Sequence, residues 1–290
     1  MSIPDPNRNS TDQLLPTTTA DLEPEQEYRS TAPLANMGVS LSTARIIAPA
    51  SFVADFLCQV YGIGISSPNM KQIHDQNPCA FSPQPFAIGG FFGPQQILQV
   101  LWLREFFRAP KDVEKNTIDY SVWYALGNCC IGVWMLFWNS NNLKGSNVFV
   151  LINTLTQLYY TFFLRNPAPS TYQSKLTNII NITFAGIGVL DMFHNGAAAY
   201  FPGMAPNTLV KIGTALAAPL TALTTPLAFG ACIAYDLFGV AVGQHQLAQK
   251  AVLGGLGGGG GEGWAKLLGG LGLGVAGIIG ARAYNGARWV

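Results

Sequence analysis

Charged side chains are scarce in this chain: they make up 11% of its 290 residues, while 49% are hydrophobic. A soluble domain carries roughly 25% charged residues. A shortage on that scale excludes an ordinary water-facing shell and implies that much of the surface meets lipid. With a formal net charge of +1, no bulk charge argues for nucleic-acid binding. Metal-ligand spacing is also missing. The five cysteines, Cys58, Cys79, Cys129, Cys130 and Cys232, form no Cys-x-x-Cys pair, and the three histidines are scattered, so a zinc site has no basis. All the cysteines but Cys79 fall inside apolar runs, where small apolar packing is expected of a thiol. Cys79 sits in a loop without a loop partner, so no disulfide framework is predicted. No Ser/His/Asp arrangement stands out. The glycines at 257–261 are not followed by Gly-Lys-Ser/Thr, so they are no phosphate loop. No motif specifies a cofactor. Residues 1–36 contain no apolar h-region, and their acidic residues exclude an Arg-rich transit peptide. Rich in Pro, Thr, Ser, Asp and Glu, they cannot bury enough apolar surface to offset their ordering entropy and are predicted to be disordered.

What the chain has instead is a series of long apolar segments. A helix of about 20 mostly apolar residues crosses roughly 30 Å of hydrocarbon. Six segments meet that length, at 46–65, 86–107, 120–138, 148–164, 179–199 and 209–242, the last containing Pro219 and Pro226 and read as one kinked span. Six Trp and ten Tyr supply residues suited to the membrane–water boundary. The predicted fold is therefore all-α, a polytopic transmembrane bundle. Its organisation reads as a cytoplasmic tail (1–40), a six-span bundle (41–245), a Gly-rich linker (246–266) and a short apolar helix with a tail (267–290). The apolar stretch 267–281 is about 15 residues long, short of the roughly 18 expected of a span.

Charge sets the expected orientation. Alternating loops put Arg8, Arg29, Arg45, Arg104, Arg108, Lys111, Lys115, Arg165 and Lys175 on one side and only Lys71, Lys144 and Lys211 on the other. The first side is cytoplasmic by the Lys/Arg rule. Six spans leave both termini there, with Lys250, Lys266, Arg282 and Arg288; a seventh span over 267–281 would carry the two arginines outside.

Three constellations could carry chemistry. Gly272, Ala276 and Gly280 recur every four residues, and on a helix such small residues form a groove for close backbone approach. Self-association or docking is one reading, chance spacing in a glycine-rich tract the other. Asp55 and Asp191 lie inside apolar segments, where carboxylates usually face the bundle interior or a water-filled cavity. His194 is three residues from Asp191 on the same helix face, so the two could form a proton-relay pair. The alternative puts Asp236, towards the end of its segment, and His194 at the interface, already wet, and has Asp55 hydrogen-bond a neighbouring helix. The amides Gln59, Gln95, Gln96, Gln99, Asn128, Asn153, Gln157 and Asn181 enter apolar runs. Interhelical hydrogen bonding is their ordinary role, a polar pocket the alternative.

Residues 55–163 carry a family resemblance. A first span ends in a polar loop, followed by the Pro-aromatic lead-in Cys79-Ala80-Phe81-Ser82-Pro83-Gln84-Pro85-Phe86-Ala87-Ile88-Gly89-Gly90. A third span with Asn128, Trp134 and Trp138 then precedes a tight polar turn, and the fourth ends in Tyr159-Tyr160. The stretch resembles the TspO, or tryptophan-rich sensory protein, superfamily. The chain departs from it in its number of spans, in both tails and in lacking a Trp in the fifth segment. The resemblance implies a helical bundle with a pocket for an apolar ligand such as a porphyrin or sterol, with Asn128, Trp134 and Trp138 as ligand-facing candidates. The reading is a multi-pass membrane protein that binds or transports a small apolar or amphipathic molecule between its helices. The alternatives are a scaffolding membrane protein and an intramembrane enzyme using Asp55 and Asp191 as acid and base.

Overall fold

The computed structural model describes residues 38–252 and 260–290. The expected disorder of the N-terminal tail over 1–36 and the Gly-rich stretch 253–259 lie outside the described residues.

Nine α-helices make up the described chain, and no strand occurs among the described residues. They are α1 (Leu41–Val60), α2 (Met70–Gln76), α3 (Pro85–Glu105), α4 (Lys115–Asn139), α5 (Leu143–Tyr159), α6 (Tyr172–Tyr200), α7 (Thr208–Thr224), α8 (Leu227–Val252) and α9 (Gly261–Tyr284). π-helical turns extend α1 to Ile65 and α5 to Leu164. Helix starts follow local chemistry. Ser40, Asn142 and Asn207 each accept the backbone N–H of the third residue of α1, α5 and α7. Asn69 and Thr171 form capping boxes with Gln72 and Ser174. Pro85 occupies the first turn of α3, where its missing N–H leaves no bond unmade.

Five helices are long and apolar enough to cross a membrane: α1 with its π turn, α4, α6, α8 and α9. Their outer faces support that reading. The most apolar window of α1 has a mean hydropathy of 1.6, yet only 22% of it is buried inside the protein. Leu57, Ile63, Phe86, Ile97, Phe163 and Leu216 also point outward. Such an exterior is unfavourable in water and favourable in lipid.

Two sequence expectations are corrected. Residues 209–242 are not one kinked span. Thr225 is extended (φ −104°, ψ 170°) because Pro226 disfavours the α conformation in the residue before it, and the chain reverses into α8. Pro219, by contrast, stays inside α7. The C-terminal helix is not a short segment starting at 267; it is 24 residues long, and α8 runs on to Val252, so the linker is shorter than 246–266 at both ends. Trp264 explains the early start of α9. Its ring is buried and its Nε1 donates to the Ala80 carbonyl at 2.7 Å, drawing the glycine-rich first turn into the helix.

Hydrogen bonds sort the helix ends into two groups. At one end Arg45 of α1 donates to the Phe106 and Arg108 carbonyls after α3. Gln173 of α6 joins the loop before α4 through Asp112 and Glu114. Phe162, beyond α5, packs edge-on against Phe229 of α8, and the Leu227 and Ala228 N–H groups donate to the Arg288 and Trp289 carbonyls after α9. Arg282 donates to the Ala222 and Thr225 carbonyls, satisfying groups orphaned at the end of α7. At the other end Asn139 donates to the Gly62 carbonyl, Gly203 to Pro78 and Gln84 to Gly239. Apart from short α2, each helix thus runs from one end of the bundle to the other. The start of α1 and the end of α9 share an end.

Candidate functional site

The interior is unusually polar, and its polarity is mostly consumed by pairing. In the half nearest the Arg45 end, the Tyr124 hydroxyl donates to Gln99 Oε1 at 2.6 Å, and the Tyr120 hydroxyl donates to Gln157 Oε1 at 3.0 Å. Thr161 donates to Asn181 Oδ1 at 2.9 Å, and Trp102 Nε1 donates to Thr177 Oγ1 at 2.9 Å. These bonds join α3, α4, α5 and α6 as interhelical glue, the role expected of such amides. Asn128 belongs to the same region: its Nδ2 donates to the Tyr124 carbonyl, while its Oδ1 is buried without a partner.

Asp55 lies apart, on α1. Its Oδ1 accepts from Gln59 Nε2 at 3.0 Å. Gly132 lets α4 come close here, since a Cβ on it would lie 3.4 Å from the Asp55 Cα. Asp191, His194, Trp134 and Trp138 do come together, at the opposite end of the bundle from Arg45. They line a cavity of about 20 Å³ with Met70, Lys71, His74, Pro85 and Ile88, enough for one water-sized group. Trp134 Nε1 donates to Asn195 Oδ1 at 2.7 Å, and Trp138 Nε1 donates to the Met70 carbonyl at 3.1 Å. The His194 ring stands 5.2 Å from that of His74 and 5.5 Å from that of Trp138, and its Nδ1 is 3.5 Å from Cys79 Sγ. Asp55 lines neither this cavity nor the larger one described next.

The loop 66–85 closes this end as a packed plug. Ile73, Cys79 and Ser82 are buried in it. Gln244 of α8 donates to the Cys79 and Ser82 carbonyls, tying the loop down. Burial holds His74 below its usual value near 6.5, with Asp75 partly opposing, and burial pushes the Cys79 thiol up. No group of three or more His, Cys, Asp or Glu side chains among the described residues could hold a metal ion.

The larger cavity, about 670 Å³, lies between α6, α7 and α8. Its origin is legible in α7. One face carries Leu209, Ile212, Leu216, Leu220 and Leu223, all strongly exposed. The other carries Gly213, Thr214, Ala217, Ala218 and Thr221, all lining the cavity. Small side chains leave the space, and α7 packs on α8 and α9 while standing off from α6. Val189, Met192 and Phe193 of α6 form the facing wall. Among the described residues, one charged side chain, Asp236 of α8, lines this space. Only 6% exposed, it has both carboxylate oxygens buried without a hydrogen-bond partner. Asn147 Oδ1, also in the lining, is likewise unpartnered.

Sequence reasoning put the ligand-facing residues at Asn128, Trp134 and Trp138 and gave Asp236 an interfacial place. Asp236 instead lies well inside α8, in the wall of the large cavity. The signal that could have found it was Thr225-Pro226 as a helix break, which moves Asp236 from the end of a span to its interior.

The packed face of α9 also differs from the expected one. Trp264, Leu268, Gly272, Val275 and Ile279 are buried. Gly272 meets Phe238 of α8: a Cβ there would lie 2.9 Å from its ring. Ala276 and Gly280 are exposed, and a Cβ on Gly280 would meet nothing within 4 Å. Bulky Val275 and Ile279 dominate burial over this stretch, so the seam drifts away from the small-residue stripe.

Comparison with protein-family models, curated proteins and solved structures returned no match.

Proposed function

We propose that this multi-pass membrane protein accommodates a small apolar or amphipathic molecule in the cavity between α6, α7 and α8, as a binding or transport protein. The observation that carries the reading is the cavity itself. Its roughly 670 Å³ falls in the range of small-molecule sites, its walls are overwhelmingly apolar, and it borders a helix whose other face is suited to lipid. The resemblance to tryptophan-rich sensory proteins suggests the same class of ligand, but here the site lies between later helices than the residues behind that resemblance. A scaffold would favour a filled bundle, which the cavity argues against. An acid–base enzyme needs convergent carboxylates, and Asp55, bonded to Gln59 against α4, shares neither cavity with Asp191.

The same reading assigns an orientation. The eight end-to-end helices would all cross the bilayer, three of them shorter or less apolar than the five clearest spans. All six arginines of the described chain, Arg45, Arg104, Arg108, Arg165, Arg282 and Arg288, then lie at one end, with Lys111, Lys115 and Lys175. Lys71, Lys144, Lys211, Lys250 and Lys266 lie at the other; Lys250 and Lys266 change side from the sequence expectation because this reading makes residues 209–242 two spans instead of one. The arginine end is cytoplasmic by the Lys/Arg rule.

Native mass spectrometry of protein extracted from its expressing membrane tests the cavity. A co-purifying apolar molecule should be bound at unit stoichiometry, and Ala217→Trp, which fills the space from the α7 side, should abolish it while the protein still folds. Retention by a folded Ala217→Trp protein would overturn the assignment.

A further inference from the structure

We infer that the large cavity selects a lipophilic amine, its ammonium group seated on Asp236; the inference rests on the cavity being a ligand site. Two observations converge. Both Asp236 oxygens are buried and unpartnered in the cavity wall. No Lys, Arg or His among the described residues lines the cavity, so they supply no counter-charge there.

The chemistry follows from these facts. A buried carboxyl without a partner is destabilising by the desolvation of that group, about 1–3 kcal/mol even when uncharged. A neutral apolar ligand would seal that deficit in place. An alcohol supplies one donor. An ammonium group supplies up to three donors and the missing charge, so it alone both fills the acceptor sites and neutralises the carboxylate. Asn147 Oδ1, also unpartnered in the lining, offers a further acceptor from α5. The remaining wall is apolar: Met192 and Phe193 from α6, and Gly213 and Ala217 from α7, suit a hydrocarbon tail. The shared chemistry, an amine on a hydrocarbon, could come from an aminophospholipid headgroup or from a free single-chain amine.

The test uses full-length protein in phosphatidylcholine nanodiscs and a pair of diazirine probes, an alkyl amine and the alcohol of the same chain, with labelled residues mapped by mass spectrometry. The amine should label the cavity walls on α6 and α7 about tenfold or more above the alcohol, the ratio expected of a charge-assisted bond. Asp236→Asn should bring the two probes level, and Asp236→Glu should keep the preference. The Glu variant also serves if Asn impairs folding. Adding phosphatidylethanolamine to the nanodiscs separates the sources: suppression of amine labelling points to the headgroup, and no suppression points to a single-chain amine. Equal labelling by both probes in the wild-type protein would overturn the amine inference while leaving the cavity as a ligand site. Absence of cavity labelling by either probe would overturn the ligand site itself.

Discussion

At the scale of single residues, close approach decides more than charge. Gly243 of α8 is where the plug loop meets the bundle: a Cβ there would lie 2.4 Å from the Ser82 carbonyl oxygen and 2.5 Å from the Pro83 carbonyl carbon. Backbone cannot retreat as a flexible side chain can. Gly243→Ala should therefore lower stability by about 1–3 kcal/mol, the usual range for overpacking. Gly280→Ala, in open space within α9, should leave stability unchanged or raise it by up to about 1 kcal/mol, Ala being the better helix former. Thermal unfolding in detergent compares the two, and a Gly243→Ala protein melting with the wild type would remove the loop from its assigned place. His74 gives the plug a second signature. Buried and held below its usual value near 6.5, it stays neutral in the packed loop, whereas a displaced loop takes up the proton. Packing of loop 66–85 is therefore fully stable above about pH 6.5 and weakens as pH falls below it. The groups facing His74 are Asp75 and Lys71 on its own helix and His194 and Asp191 on α6, which line the same small cavity. Limited proteolysis of the loop should quicken between about pH 7.5 and about pH 5.5, and His74→Gln should flatten that contrast. An undiminished contrast in the variant would assign the pH response elsewhere.

At the scale of helices, hydropathy carried the main outline. The all-helical class was legible, and the first five apolar segments each fall on a helix because each is an apolar run bounded by polar loops; of the five, only α1, α4 and α6 are long and apolar enough to cross a membrane. The α7–α8 boundary was not. A proline inside an apolar run is ambiguous: Pro219 is absorbed into α7, whereas Pro226 follows an extended Thr225 and ends it. The bias a proline imposes on the residue before it acts at both sites, and tertiary partners, here Arg282 on the last carbonyls of α7 and the Arg288–Trp289 backbone on the first N–H groups of α8, complete the break at Pro226. The length of α9 was hidden for a related reason. Glycine is a poor helix former, by roughly 1 kcal/mol relative to Ala, and packing of Trp264 overrides that propensity. The site suffered most. Trp134, Trp138, Asp191 and His194 were singled out and do cluster, but the large cavity depends on which face of α7 looks inward, which no single apolar run reveals. The register of α9 makes a sharp contrast. Gly272→Leu forces a side chain into the Phe238 ring and should broaden or shift the monodisperse peak in size-exclusion chromatography. Gly280→Leu, pointing outward, should leave the profile unchanged. Equal effects of the two would place the packed seam elsewhere.

At the scale of the whole molecule, every functional statement depends on the helices crossing a bilayer from end to end. The cavity faces lipid only if α7 is a membrane helix, and α7 crosses only if α8 and α9 run back and forth beside it. The most exposed consequence is that Lys266, near the start of α9, and Arg288, just past its end, lie on opposite sides of the membrane. Single cysteines at 144, 266, 108 and 288, in a chain whose five native cysteines are replaced, can be labelled with a membrane-impermeant maleimide in sealed vesicles of one orientation. The account predicts that positions 144 and 266 label together, and that 108 and 288 label together only after the vesicles are opened or inverted. Matching behaviour of 266 and 288 would mean that α9 does not cross, and would contradict the bundle on which the cavity rests.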